Sequence, residues 1–226
     1  MPTYKLTYFP FRGRAEVARQ LFHLAGVPFE DNRVKNEDWP ALKATMPFGQ
    51  MPLLEVDGKP LPQSFAIFRY LAKEFGTFFR SIFKLQNDNP FTKDSEFVGN
   101  TPFESAWIDA VADEYRDYFK EMHPVLAVYT GVSEGDKEKL VKEVAEPARD
   151  KFFGILEKIA KNNCNGHFIG SSLTWVDLLI AEHVHTLLQH MPKFLDAYPF
   201  VVATCQKIEA TPQLKEWIEK RPVTSF

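Results

Sequence analysis

LTYFPFRGRAEVARQLFHLAG, Leu6–Gly26, decides how the first half of this 226-residue chain is read. It opens as a short alternating run that ends at Tyr8. A loop follows in which Arg12 and Arg14 flank Gly13. The rest reads as a helix: Val17, Leu21, Phe22 and Leu24 fall near one face, and Gly26 stands where a helix takes a glycine stop. Tyr8 admits two readings. It is a phenol packed into a core, or a phenol aimed at an anion or thiol beside a helix start bracketed by arginines.

Working outward, YKLTYF reads as the strand that carries Tyr8, and PFEDNRV as a second, weaker strand. NEDWPALKATMP reads as a short helix or irregular turn, begun by Asn36 and broken by Pro40 and Pro47. PLLEVDGKPL is a hairpin pattern, with Asp57-Gly58 as the turn dipeptide that supplies positive φ. QSFAIFRYLAKEFG is a helix with Ser64 as N-cap and Gly76 as its stop. The order is β-α-β, a helical or irregular connection, then β-β-α. That order predicts a small α/β domain with a mixed sheet over residues 1–76.

Strand signals fade beyond residue 100. TPFESAWIDAVADEYRDYFKEM opens with Thr101 as N-cap, Pro102 at the first helical position and Glu104 at the capping-box position. EGDKEKLVKEVAEPARDKFFGILEKIAKNN is a long amphipathic helix in which Pro147 predicts a bend. SLTWVDLLIAEHVHTLLQ starts with a Thr174-x-x-Asp177 capping box. PFVVATCQKIEAT and PQLKEWIEKRP read as two final helices. Residues 101–226 are therefore expected to form an all-α domain. Between the halves, residues 77–100 carry no sustained period and read as an unusually long linker or insertion. Its Phe78, Phe79, Ile82 and Phe83 are spaced to dock as one helical turn.

The formal charge of -3 gives no electrostatic case for nucleic acid or an anionic membrane. No apolar run is long enough to span a bilayer, and no apolar leader opens the chain. Cys164 and Cys205 lie far apart and form no CxxC. They point to buried thiols in a reducing, cytoplasmic setting. The 21 phenylalanines suit a large aromatic core or apolar clefts.

Several residues of the first half carry possible chemistry. Pro52 opens the first hairpin strand, either as an ordinary trans strand start or as a cis Met51-Pro52 bond. The cis form would leave the Met51 main chain open to pair with an extended ligand. Gln63-Ser64 precedes a helix, which makes either a plain cap or an anion site of free N–H groups plus a hydroxyl. Trp39 and Lys43 are four apart and share a helix face. Taken together, these features outline a site for a short anionic peptide: a cation at one end, a helix start at the other, an open backbone edge between them and a phenol near the middle.

TYFPFRGRAE, MPFGQMPLLEVDG and PQSFAIFRYLA resemble the glutathione transferases, in particular the sigma-like invertebrate class, to which glutathione-dependent prostaglandin D synthases are related. SLTWVDLLIAE and LKEWIEKRPVTSF resemble later parts of the same family. The likeness covers nearly the whole chain outside Thr77–Val98. It implies the cytosolic glutathione transferase architecture: an α/β thioredoxin-like N-terminal domain, an all-α C-terminal domain and a homodimer. It implies glutathione as co-substrate and small hydrophobic electrophiles as acceptors. By the same resemblance Tyr8 donates to the glutathione sulfur and Arg14 lies beside it. Trp39 and Lys43 hold the glycyl end, Gln50, Met51 and Pro52 the middle, and Gln63 and Ser64 the γ-glutamyl carboxylate. Asp113 matches the acid that reaches the γ-glutamyl amino group of the partner subunit's glutathione. Phe9, Phe11, Arg12, Met122 and Phe226 are candidates for the hydrophobic cleft.

A free thiol titrates near about 8.5, so most glutathione at neutral pH is protonated and weakly nucleophilic. A neutral phenol that donates to the thiolate lowers that pKa. The expected reaction is conjugation to hydrophobic electrophiles, with peroxidase activity on organic hydroperoxides as an extension. Prostaglandin isomerisation and non-catalytic carriage of haem or other hydrophobic ligands are the alternatives. Arg116 in DEYRDYF stands where prostaglandin synthases that bind a divalent cation tend to be more acidic, so no metal is expected. A thiol-transferase of the omega type needs a cysteine where this chain has Tyr8.

Overall fold

The computed structural model describes residues 2–83, 97–224 and 226, with side chains outside 77–83. It divides into two compact units. The first combines Met1–Val98 with Thr211–Thr224 and Phe226, and the second is built from Gly99–Ala210.

The first unit begins with β1 (Tyr4–Tyr8), a 3-10 turn at Gly13–Ala15, α1 (Glu16–Ala25) and β2 (Glu30–Arg33). Next come α2 (Trp39–Lys43), the hairpin β3 (Leu53–Val56) and β4 (Lys59–Pro62), and α3 (Ser64–Phe83). The sheet order is β2-β1-β3-β4. β1 pairs parallel with β2 and antiparallel with β3. β4 lies at an edge, the place in a sheet where Pro60 and Pro62 cost no ladder donor. Asp57 and Gly58 both take positive φ, 49° and 75°, as the hairpin turn requires. Leu6, Leu21, Phe22, Leu54, Ile67, Phe68 and Leu71 are buried to under 2 % exposure. Tyr4, Phe22 and Phe75 meet edge to face within this core.

The second unit holds α4 (Pro102–Tyr129), α5 (Lys137–Leu140), a π turn at Val141–Ala145, α6 (Glu146–Asn162), α7 (Trp175–His190) and α8 (Pro199–Glu209). Thr101 caps α4 by accepting from the Glu104 N–H at 3.1 Å. The capping box at Thr174 and Asp177 is formed. Asp177 also accepts from the Phe168 N–H at 2.8 Å, so one buried carboxylate holds both the helix start and the loop before it. Its burial raises its pKa, against the donors that surround it.

Several expectations need correction. α9 (Pro212–Lys220) packs with α1 in the first unit, so residues 101–226 are not one helical body. The reason lies in buried hydrogen bonds from Trp217 and Arg221 to Glu16. Gly76 does not stop α3, which continues to Phe83. A helical glycine costs only about 1 kcal/mol, too little to end a run of good helix formers. Ser64 is the first helical residue and not the cap, because the Gln63 carbonyl accepts the first intrahelical bond, from the Ile67 N–H. Pro40 sits in the first turn of α2, where a missing N–H is harmless, so it starts the helix and does not break it. Pro147 likewise enters the first turn of α6, and the backbone before it winds as a π turn in place of a simple bend. Cys205 is buried, whereas Cys164 is exposed. The expectations for residues 84–96, and for the docking turn of Phe78, Phe79, Ile82 and Phe83, lie outside the described residues and side chains.

His183 of α7 is buried with its Nε2 3.0 Å from the Tyr118 hydroxyl, between the rings of Tyr115 and Tyr118. Burial pushes its pKa down from 6.5 to about 3. The unfolded chain therefore takes up a proton near pH 6.5 that the folded chain refuses until about pH 3. The stability this group lends is complete above the upper value and drains away toward the lower one, by at most about 1.4 kcal/mol per pH unit. The urea midpoint of the native protein is expected to fall more steeply with acidification across this window than that of His183→Gln. Equal slopes in the two proteins would contradict it.

Candidate active site

The site is built around the end of β1. The Tyr8 carbonyl accepts from the Val34 N–H at 2.8 Å, which fixes the strand end against the residue after β2. The Tyr8 phenol is buried, and its hydroxyl oxygen accepts from the Arg14 N–H at 3.2 Å. Among the described residues, no acceptor takes the phenol's own proton. Burial lifts its pKa above the usual 10, outweighing the Arg14 N–H and the charges of Arg14 and Arg19. The group is a neutral donor at pH 7. Gly13 makes the arrangement possible: its φ is +44°, and a Cβ there would lie 2.8 Å from the Tyr8 hydroxyl.

A buried cation holds this loop. Arg19 of α1 has no exposed surface. Its Nη1 donates to the carbonyls of Phe11 at 2.9 Å and Arg12 at 3.2 Å, and its Nη2 to that of Phe9 at 3.4 Å. Its Nε donates to Asp31 at 3.1 Å, and Glu16 lies 3.3 Å from Nη1. Glu16 in turn accepts from Trp217 Nε1 at 2.7 Å and Arg221 Nη1 at 3.0 Å. Sequence reading missed Glu16, Arg19, Asp31, Trp217 and Arg221. A readable signal existed: Arg19 lies between Ala15 and Phe22 on the apolar face of α1, with a carboxylate three residues earlier.

Next to the phenol loop, Arg14, Gln50, Met51, Pro52, Gln63 and Ser64 line one concave surface, with Phe48 and Pro62 at its edge. The Met51-Pro52 bond is cis. The described residues form no hydrogen bond to the Met51 main chain. Gln63 takes φ 75° and its side-chain amide donates to Gln50 at 3.4 Å. The first N–H groups of α3, from Ser64 on, have no intrahelical partner and carry the positive end of the helix dipole. Trp39 meets Phe9 edge to face at 5.7 Å, and Phe9 meets Tyr8 at 5.6 Å. The Lys43 side chain runs beside Gly49, one residue before Gln50.

Phe9 and Phe11 stack at 5.3 Å, and Phe226 lies 4.5 Å from Phe11. The Phe226 carbonyl accepts from the Arg12 N–H at 2.9 Å. Phe9 and Phe11 both meet the Tyr8 ring edge to face, and Phe226 joins them through Phe11. Arg12 is buried, at 4 % exposure. Met122 is wholly buried in the second unit and offers no open surface there. Asp113 stands on α4 and pairs with Arg116 at 3.2 Å. Among the described residues there is no group of three or more His, Cys, Asp or Glu able to hold a metal ion, and no helix is long and apolar enough to cross a membrane.

Residues 4–73 match the family of the glutathione S-transferase N-terminal domain, and residues 120–221 that of the glutathione S-transferase C-terminal domain. The chain is similar to glutathione S-transferase 1 of Ascaris suum, with 44% identity over 100% of both chains. It is 46% identical, again over 100% of both, to a probable glutathione S-transferase 5 of Caenorhabditis elegans. Among solved structures it resembles a glutathione S-transferase of the hookworm Necator americanus, described as monomeric. That likeness has 45% identity, covers 99% of this chain and 100% of the other, and has a TM-score of 0.87.

The close approach of Gly13 to the phenol yields a direct expectation. Gly13→Ala places a methyl group where the Tyr8 hydroxyl lies, in a backbone conformation that also disfavours it. The variant should lose about 1–3 kcal/mol of stability. Its Arg14 amide should exchange hydrogen with solvent faster than in the native protein. Unchanged stability together with unchanged exchange would contradict the contact.

Proposed function

This chain belongs to the glutathione transferase family, and from that membership we propose which of its residues perform the transfer. The enzyme conjugates the thiol of glutathione to hydrophobic electrophiles. The observation that carries the assignment is the state of the Tyr8 hydroxyl: neutral by burial, its oxygen engaged by the Arg14 N–H, and its proton turned to no acceptor among the described residues. Such a group donates to a sulfur and favours its thiolate over its thiol.

In this reading glutathione lies along the concave surface beside Tyr8. The start of α3, with Ser64 and Gln63, takes the γ-glutamyl carboxylate at the positive end of the helix dipole. The open Met51 main chain pairs with the cysteinyl unit as an added strand would, supported by Gln50 and Pro52. Lys43 and Trp39 take the glycyl end. Asp113 of the partner subunit reaches the γ-glutamyl amino group in a homodimer. The thiolate then attacks the electrophilic carbon of an acceptor packed against Phe9, Phe11 and Phe226. The S–C bond forms, the bond to the leaving group breaks, and that group departs to solvent with its electron pair, as chloride does from a chlorodinitrobenzene-type acceptor. The proton lost by the thiol leaves to solvent. Arg14 adds positive potential where the sulfur's charge develops.

A phenol that supplies about two units of thiol pKa shift raises the thiolate fraction at neutral pH from about 3 % to about three quarters, a gain of about twenty-five-fold. Tyr8→Phe should therefore lower kcat by about ten- to a hundredfold with a chlorodinitrobenzene-type acceptor. Calorimetric glutathione affinity at neutral pH should fall by no more than about fivefold, the amount that linkage to a thiol pKa shift of about two units requires, because the hydroxyl discriminates thiolate from thiol and does not otherwise hold the tripeptide. A fall in affinity with no change in kcat would reverse the assignment. For the assembly, sedimentation equilibrium should give twice the chain mass, and Asp113→Asn should weaken glutathione binding. A monomer with full glutathione affinity would remove Asp113 and the homodimer from the scheme.

A further inference from the structure

The geometry points to Glu16 and Arg19 as positioning residues for the transfer, through which Trp217 and Arg221 of the C-terminal segment hold the Tyr8 loop in its working shape. This inference rests on the reading of Tyr8 as the donor to the thiol. All of its residues belong to the first unit.

The chain of contacts is continuous. Glu16 Oε1 accepts from Trp217 Nε1 at 2.7 Å and from Arg221 Nη1 at 3.0 Å. Glu16 Oε2 accepts from Arg19 Nη1 at 3.3 Å. Arg19 then donates to the carbonyls of Phe9, Phe11 and Arg12. The segment it draws inward runs straight into Gly13 and Arg14, whose N–H reaches the Tyr8 hydroxyl at 3.2 Å. Asp31 takes the remaining edge of the guanidinium at 3.1 Å and is itself held by Arg33 at 2.8 Å. A planar cation engaged through Nε, Nη1 and Nη2 at once is held in one orientation, and the three carbonyls that point at it are held with it.

Stability alone does not require such a device. Hydrophobic residues of similar volume commonly replace a buried ion pair at no loss. What they cannot replace is the turning of the Phe9, Phe11 and Arg12 carbonyls toward one centre, the last of them two residues before the Arg14 N–H that faces the phenol. Glu16 is the joint of the relay. Without it the guanidinium keeps its carbonyls but loses the anchor to α9.

Three variants test this without touching a substrate contact. Trp217→Phe removes one donor to Glu16 and keeps an aromatic ring, smaller than the indole, at a half-buried position. Glu16→Gln keeps the shape and removes the charge. Arg19→Lys keeps the charge and loses the fork. The expected result for Trp217→Phe and Glu16→Gln is a several-fold lower kcat with an unchanged KM for glutathione. The pH profile of kcat should move up by about half a unit to one unit, toward that of the free thiol. Arg19→Lys should not rescue the profile. Adding either change to Tyr8→Phe should leave that variant's profile where it was, since the relay acts only through the phenol.

Lower thermal stability with an unmoved pH profile in Trp217→Phe and Glu16→Gln would overturn the positioning role and leave a structural one. If Tyr8→Phe itself leaves kcat unchanged, the reading of Tyr8 fails first and the relay with it. If Tyr8→Phe lowers kcat while the relay variants do not shift the profile, only the relay fails. Should Glu16→Gln prove insoluble, Trp217→Phe decides the matter alone, because Trp217 is only half-buried and an aromatic side chain remains there.

Discussion

Arg19 is a cation without exposed surface, and a guanidinium in that position costs several kcal/mol unless its donors all find acceptors. The fold around the phenol follows from how that demand is met. Three carbonyls come from the loop after β1, one carboxylate from α1 itself and one from β2. The loop cannot relax outward without orphaning the guanidinium, and α1 cannot rotate without breaking Glu16 away from Trp217 and Arg221. A strand, two helices and a loop are thereby locked to one point. The phenol of Tyr8 stands at its edge, with the guanidinium carbon 6.0 Å from its ring centre.

Much of this was legible because local chemistry and tertiary structure agree. The Asp57-Gly58 turn, the Gly26 helix stop and the Thr174-Asp177 capping box each depend on a side chain or a positive φ within a few residues. The places of Tyr8 at a strand end and of Gln63 and Ser64 at a helix start were legible for a different reason. Helix starts and strand ends announce themselves by sequence, and ligand chemistry collects there. Where reading failed, a long-range partner decided the outcome. Nothing near Pro212 says that α9 leaves the helical unit; the decision lies with Glu16, about two hundred residues earlier, through hydrogen bonds spanning |i−j| of 201 and 205. Gly76 failed as a stop because a glycine is decisive only where the chain must take a left-handed turn, and α3 makes none there.

Gly13 shows the opposite case, a glycine whose reason is tertiary. Its positive φ alone would allow an asparagine. The space at its Cβ does not, because the Tyr8 hydroxyl occupies it. The arginines on either side then divide the work. Arg12 points its main chain inward, giving its carbonyl to Arg19 and its N–H to Phe226, while Arg14 gives its N–H to the phenol and its side chain to the concave surface. A symmetric-looking RGR is therefore two residues of opposite orientation about a necessary glycine.

The electrostatics of the phenol follow from the same division. A donor to a thiolate must keep its proton, yet its surroundings must favour negative charge. These demands conflict if one group supplies both, because positive potential strong enough to stabilise a thiolate also lowers the pKa of a phenol. Here burial raises the Tyr8 pKa and is the largest influence on it, while the Arg14 N–H, Arg14 and Arg19 lower it less. Cations are thus placed near the phenol without ionising it. The low dielectric that protects the proton also strengthens whatever hydrogen bond the hydroxyl donates. Keeping that loop dry and immobile is worth the cost of a buried guanidinium, since a wetter Tyr8 would be both more acidic and a weaker donor.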